Sequence, residues 1–352
     1  MHFSKIFTLF ILLFAGQTLF AQHEQHTTTT HEAQKEEKFN IGEMITHHIS
    51  DSHEWHFATV GHNHFSIPLP VILYSPTKGF DVFSSSKFKS ENHQLVSYNG
   101  YLVDEHEKIH SVDGSKVYDL SITKNVASII LSAIILLLVF TTVAKGYEKN
   151  KGKAPKGIQS LFEPIITYVR DDIAKPTIGE KHYQKFLPYL LTLFFFIWFN
   201  NMMGLLPGSA NVTGNIAVTM VLGLVTFFVT NLNGNKGYWK HLVAPPGVPV
   251  LLYPIIVPVE IIGIFVKPLT LMIRLFANIT AGHIILLSLI GLIFTFKSYL
   301  VGGTVTIFVV AMNVLELLVA LLQAFIFTLL TSMYIGSAVE EAHHDTEYDH
   351  GM

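Results

Sequence analysis

Leu251 to Phe296 is an apolar run of 46 residues, and Thr304 to Ile335 is a second of 32. As helices rising 1.5 Å per residue they extend about 69 Å and about 48 Å, against a bilayer hydrocarbon core of about 30 Å. Two upright spans cannot use that length. The segments are therefore a pair of strongly tilted helices joined by the short Lys297 to Gly303 connection, or helices broken at Pro254, Pro258 and Pro268. Tilt on that scale suits helices laid along the side of another membrane object. Composition agrees with a membrane setting: of 352 residues 50% are apolar and 14% charged, and mean hydropathy is +0.42. A net charge of -3 supplies no field to hold nucleic acid. The absence of cysteine excludes disulfides, thiolate metal sites and cysteine nucleophiles.

Three shorter apolar segments precede this pair. Val126 to Ala144 is followed by Lys145, Lys149, Lys151, Lys153 and Lys156, which marks that flank as cytoplasmic by the positive-inside rule. Ile158, Leu161, Phe162, Ile165, Ile166, Val169 and Ile173 then fall on one stripe of an amphipathic helix, lying on the membrane surface or on a partner. Phe186 to Leu206 returns outward to a connection, Pro207 to Asn215, without Lys or Arg; Ile216 to Leu232 comes back to a loop holding Lys236 and Lys240. The expected fold is an all-α polytopic membrane protein: five passes plus one surface helix, N-terminus outside and C-terminus inside. The membrane domain runs over 122–342 and a cytoplasmic tail over 343–352.

Met1 to Lys5, Ile6 to Phe20 and Ala21 read as the n-region, h-region and cleavage site of a signal peptide over 1–21, with an uncleaved first transmembrane helix as the alternative. Residues 22–121 hold twelve of the 19 histidines: His23, His26, His31, His47, His48, His53, His56, His62, His64, His93, His106 and His110. Gln22 to Lys38 is expected to be disordered. Alternating segments at Phe65 to Tyr74, Gln94 to Leu102 and Lys116 to Leu120, with an Asp113-Gly114 turn, make the remainder a small β-rich extracytoplasmic unit. Its histidines point to divalent metal capture or pH buffering, or to a solvated extension; the last is favoured because their spacing fits no defined coordination site.

The costly residues sit in the long pair. The chain has two arginines, Arg170 on the surface helix and Arg274 in the middle of an apolar run. A guanidinium at mid-membrane costs about 3 kcal/mol on insertion scales, so it must face a carboxylate or water. Glu260, Lys267, Asn278 and His283 lie on the same segment, and Asn313, Glu316 and Gln323 on the next. Ionisable groups in that number mark an ion path, although an isolated Asn313 is equally readable as interhelical glue. Thr270, Arg274 and Asn278 are four apart and share a helix face. With the segments antiparallel and Arg274 level with Gln323, His283 and Glu316 reach similar depth, about 13.5 Å and about 10.5 Å away. Such a pair can pass protons. Nine residues of ideal helix place His283 roughly 180° from Arg274, so the relay approaches from behind the arginine or the helix is distorted near Gly282.

Arg274-Leu275-Phe276-Ala277-Asn278, preceded by Lys267-Pro268-Leu269-Thr270 and followed by Ala281-Gly282, resembles subunit a of the F-type ATP synthase, as do Leu322-Gln323-Ala324-Phe325-Ile326-Phe327 and Trp198 to Pro207. The resemblance runs from Gly152 to Ala342. It implies that Arg274 is the stator arginine facing a rotor ring of c subunits, with Asn278 and Gln323 beside it and His283 and Glu316 in the outer half-channel. Glu260 and Thr270 match positions associated with the proton path. Some members of the family carry a carboxylate where His283 stands and a histidine where Glu316 stands, so the pair is exchanged here. Met272 occupies a usually small position, and the His-rich region has no counterpart in the shorter bacterial members.

The resemblance further implies peripheral-stalk b subunits and the lipid bilayer as partners, the F1 head as an indirect one, a bacterial inner-membrane location, and no cofactor, metal or bond chemistry in this chain. A proton-coupled secondary transporter is the alternative, but no internal repeat is evident. An antiporter-like respiratory subunit requires many more spans. A membrane-anchored metal-binding protein is the rival of a different class, and it requires residues 22–121 rather than Arg274.

Overall fold

A computed structural model describes residues 51–60, 63–89, 96–104, 107–206, 209–245, 248–296 and 298–339. The expected signal peptide, the segment 22–38, the tail 343–352 and all of the His-rich run except His53, His56, His64 and His110 lie outside those residues. The chain divides into two compact units: Met1–Leu131 with Asn200–Val212 and Ile279–Leu318, and Ser132–Phe199 with Thr213–Asn278 and Val319–Met352.

In the first unit, β1 (Glu54–Val60) and β2 (Asn63–Pro68) pair antiparallel; β3 (Pro70–Ser75) lies between β4 (Gly79–Ser84) and β7 (Tyr118–Asp119); β5 (Tyr101–Val103) pairs with β6 (Ile109–Ser111). Strand alternation supplies the core: Val71 and Leu73 point inward from β3 and pack with Phe88, Tyr101 and Ile109. The single alternating segment expected over Phe65 to Tyr74 is divided at Leu69. Pro68 and Pro70 flank it and lack the N–H that a continuous ladder needs, and the Leu69 amide turns instead to the His53 carbonyl and the Ser85 hydroxyl. Gly114 turns the chain after β6 with φ +71°, its amide bonding to the Ser111 carbonyl.

Three consecutive residues tie this sheet to the first membrane helix, α1 (Lys124–Lys149). Asp51 accepts hydrogen bonds from the Thr123 hydroxyl (2.8 Å) and the Asn125 amide (3.1 Å), capping α1 from far away in sequence. The Ser52 carbonyl accepts from the Lys124 amide. His53, 6% exposed, bonds Asp119 at 2.8 Å. Burial works to raise the Asp119 pKa, but the His53 and Ser121 hydrogen bonds outweigh it and hold the carboxyl below its ordinary value.

In the second unit the expected surface helix is α2 (Ile158–Tyr168), a π-turn (Val169–Ala174) and α3 (Lys175–Ile178). Its stripe is not uniform. Phe162, Val169 and Ile173 are buried in the protein while Ile158 and Leu161 are exposed. Arg170 is paired with Asp171 at 2.7 Å. Helix α4 (Tyr183–Gly204) follows, then α5 (Ile216–Leu232), capped by the Asn215 side chain. The loop expected at Lys236 and Lys240 is instead a short helix, α6 (Lys236–Val243), because Asn235 accepts from the Tyr238 amide at 2.7 Å and starts a new turn. α5 has only 17 residues and bends by 101° into α6. Among the described residues four helices are long and apolar enough to cross a membrane, and a fifth pass requires the bent α5–α6 pair to count as one.

The two long segments are α7 (Tyr253–Phe296, 44 residues) and α8 (Tyr299–Val339, 41 residues), about 66 Å and about 62 Å long. α7 runs through Pro258 and Pro268 without interruption, which decides for long continuous helices over broken ones. α8 absorbs Gly302 and Gly303, so the connection is shorter than the expected Lys297 to Gly303. Bare glycine backbone permits the close helix contacts of the second unit. A Cβ on Gly223 of α5 would lie 3.0 Å from the Pro268 carbonyl and 3.5 Å from the Met272 Cβ. Met272 therefore faces a glycine, which leaves room for its side chain. A Cβ on Gly336 of α8 would overlap the Thr177 carbonyl, next to a Thr177–Ser332 hydroxyl hydrogen bond.

Candidate functional site

The candidate residues divide between the two units. In the second unit, Arg274 is half-buried on α7, anchored by Leu271 and Leu275, which are 1% and 0% exposed. Thr270 and Asn278, one turn on either side, are exposed. Ile262, Phe265, Val266, Leu269 and Ile273 of the same helix are also exposed. The Thr270–Arg274–Asn278 row thus borders a broad exposed surface. The Thr270 hydroxyl donates to the Val266 carbonyl of its own helix at 2.8 Å. Among the described residues no ion pair involves Arg274. Gln323 is 3% exposed, between the buried Ala320 and Ala324 on α8, and does not share the open face with Asn278.

On the α6 side of Arg274 lies a group that the sequence pattern left unmarked. Tyr334 of α8 is within electrostatic reach of Arg274, and the Lys267 ammonium stands 5.5 Å above its ring. These two side chains, with Thr226, Thr230, Asn231 and Tyr238, line a narrow cleft. Tyr189 and Thr226 share a hydrogen bond of 3.0 Å. The exposed Glu260 is within electrostatic reach of Tyr238. The spacing of Lys267 and Arg274, seven residues apart on one helix face, was the available signal for this cluster.

In the first unit, Glu316 of α8 packs on the backbone of α7 at Gly282. A Cβ built there would lie 2.7 Å from Glu316 Oε1, and that oxygen is buried with no hydrogen-bond partner. His283, the next residue of α7, is half-buried. The helix is regular through Gly282, so the distortion considered from sequence is absent. Asn313 is 3% exposed, and its amide donates to Val309 of its own helix at 2.9 Å rather than across to another.

Among the described residues no group of three His, Asp or Glu is placed to hold a metal ion. His110 pairs with Asp104 at 2.9 Å and His53 with Asp119.

Comparison with known proteins gives the pattern a context. Residues 126–336 match the family model described as ATP synthase A chain, and residues 44–128 match a domain of unknown function (DUF8433). An ATP synthase subunit a of Chloroherpeton thalassium is 46% identical over 240 residues, 66% of this chain and 71% of the relative. A protein named ATP synthase subunit a 2 from Chlorobaculum tepidum is 47% identical over 242 residues, 67% of each chain. An ATP synthase subunit a of Anaeromyxobacter sp. is 36% identical over 338 residues, 93% of this chain and 76% of the relative, so that similarity runs through most of the segment ahead of residue 126 as well.

Proposed function

Because the chain belongs to the ATP synthase A chain family, we propose that it is the proton-translocating stator subunit of a bacterial ATP synthase, with Arg274 facing the carboxylates of a rotor ring of c subunits. One observation carries the reading: Arg274 has no ion pair among the described residues and stands beside a broad exposed face of α7. A cation at mid-membrane faces a carboxylate or water, and in this reading the carboxylate comes from a neighbour.

The physics then gives a cycle. A rotor carboxylate carried through lipid is neutral, because burial raises its pKa by several units. At about 4 Å from Arg274, with an effective dielectric near 20, attraction to the guanidinium is about 4 kcal/mol, or about three pKa units. The carboxylate passing Arg274 therefore releases its proton inward, into the cleft lined by Lys267 and Tyr334. On the outer side, the Glu316 carboxylate packed at Gly282 beside His283 delivers the next proton. In this reading Asn278 and Thr270, exposed one turn on either side of the arginine, line the rotor path, and Gln323 and Glu260 complete the proton path. A guanidinium stays protonated at any working pH, so it carries no proton and closes the direct route between the two sides. Protons cross only by riding the ring, each worth about 2.3 kcal/mol per 100 mV. In this reading the subunit sits in the bacterial inner membrane, N-terminus outside after cleavage of residues 1–21. It is held by b subunits of the peripheral stalk and coupled through the rotor to the F1 head.

Cysteine cross-linking tests the placement, since the chain contains no cysteine. Ile273→Cys and Asn278→Cys should each form a disulfide with a cysteine beside the rotor carboxylate under mild oxidation. Cross-linking from Val221→Cys but from neither of these would sink the proposal.

A further inference from the structure

The three-stranded sheet of the β unit carries apolar side chains on both faces. Its inner face, with Val71 and Leu73, forms the core. On its outer face Tyr74 stands opposite Phe80 on one side and Tyr118 on the other, with ring centroids 4.8 Å and 6.3 Å apart. In the next row Val82 pairs with Ile72, whose carbonyl accepts from the Leu120 amide. Two rows of three apolar residues thus cross the sheet, where an antiparallel sheet with one solvated face carries polar residues. Phe80 is 70% exposed, Val82 68%, Leu120 59% and Tyr118 55%. An exposed apolar face of this kind marks an interaction surface.

We infer that this face rests on the bilayer, in the headgroup layer of the leaflet where α1 emerges at Lys124. Position argues for lipid as the occupant. Tyr118 precedes Lys124 by six residues, a reach of at most about 20 Å even if fully extended. The segment between them is not a free linker: Ile122 bonds the Pro70 carbonyl, Asp51 caps the helix, and Ser52 holds the Lys124 amide. The sheet is thereby fixed against the head of a membrane helix. The exposed apolar surface continues along the chain from Tyr118 and Leu120 into Val126, Ile130 and Leu131 of α1. The residue types suit the place, because tyrosine rings offer an apolar body and a polar tip to the membrane interface. In this role the β unit braces the entry angle of α1.

The test uses single cysteines in the full cysteine-free chain, in nanodiscs of phosphatidylcholine and phosphatidylglycerol. Phe80→Cys and Val82→Cys, each labelled with an environment-sensitive fluorophore, are compared with Ser115→Cys. At positions 80 and 82, quenching by a shallow doxyl-labelled phospholipid and a several-fold lower iodide quenching constant than at position 115 are expected. Iodide quenching equal to that at position 115 overturns the inference. Protection from iodide without doxyl quenching also overturns it, since protein then covers the face. Using two substituted positions guards against a local misfold, which would free one probe and not the other.

Discussion

Glu316 of α8 lies against the bare backbone of Gly282 on α7, one residue before His283, so closely that any Cβ there would lie 2.7 Å from its carboxylate oxygen. The contact brings the two long helices together in the first unit and sets a carboxylate with one buried oxygen next to the residue before the half-buried His283.

Gly282→Ala should therefore push the Glu316 carboxylate aside. The carboxylate ends a flexible side chain and can swing away at little cost in stability, but the displaced acid should lower ATP-driven proton pumping in inverted vesicles without loss of the subunit from the membrane. Glu316→Asp, one methylene shorter, should recover part of the pumping in the Gly282→Ala background. Normal pumping by Gly282→Ala alone would show that the contact has no role in proton delivery.

A second glycine makes a stability prediction. At Gly336 an added methyl meets the Thr177 backbone carbonyl, which cannot swing away as a side chain can. Gly336→Ala should separate α8 from α3 and lower the amount of subunit in membranes several-fold, whereas Gly303→Ala, where a Cβ meets nothing within 4 Å, should not. Immunoblotting of membranes decides, and equal levels for the two variants would contradict the packing.

Tyr101 gives a pH prediction outside the membrane. Burial, then its hydrogen bond to Asp81, pushes its pKa from 10.0 up to about 12. For a group whose folded pKa is raised, the stabilisation is complete below the unfolded value near 10 and is lost as pH climbs from there towards 12. Protease cleavage within the β unit should therefore rise steeply over that window. Tyr101→Phe should cleave more readily at neutral pH, by about 0.5–1.5 kcal/mol for the lost hydrogen bond, and show a flatter alkaline rise. An unchanged alkaline profile in Tyr101→Phe would count against this assignment.

What could be read in advance follows from where the signals reside. Hydrophobic length alone announced α7 and α8, and the four-residue spacing put Thr270, Arg274 and Asn278 on one face, because both depend only on helix geometry. Of the two readings that the prolines leave open, the continuous tilted helix holds, since α7 passes through Pro258 and Pro268 as one helix. Pro68 and Pro70 did divide a strand that alternation alone joined. The α6 helix at Lys236 was hidden because its start depends on one capping side chain, Asn235. Tyr334 could not be marked, since its relation to Lys267 is a contact between helices and leaves no trace in the spacing of either. The Asp51 cap on α1 joins residues more than seventy positions apart and is equally invisible in the pattern.

The central claim is that one fixed cation separates the two proton routes, and Arg274→Ala tests it most directly. Inverted vesicles carrying that variant should hydrolyse ATP without acidifying, and should leak protons passively when the F1 head is stripped. Near-normal ATP-driven acidification by Arg274→Ala would contradict the account.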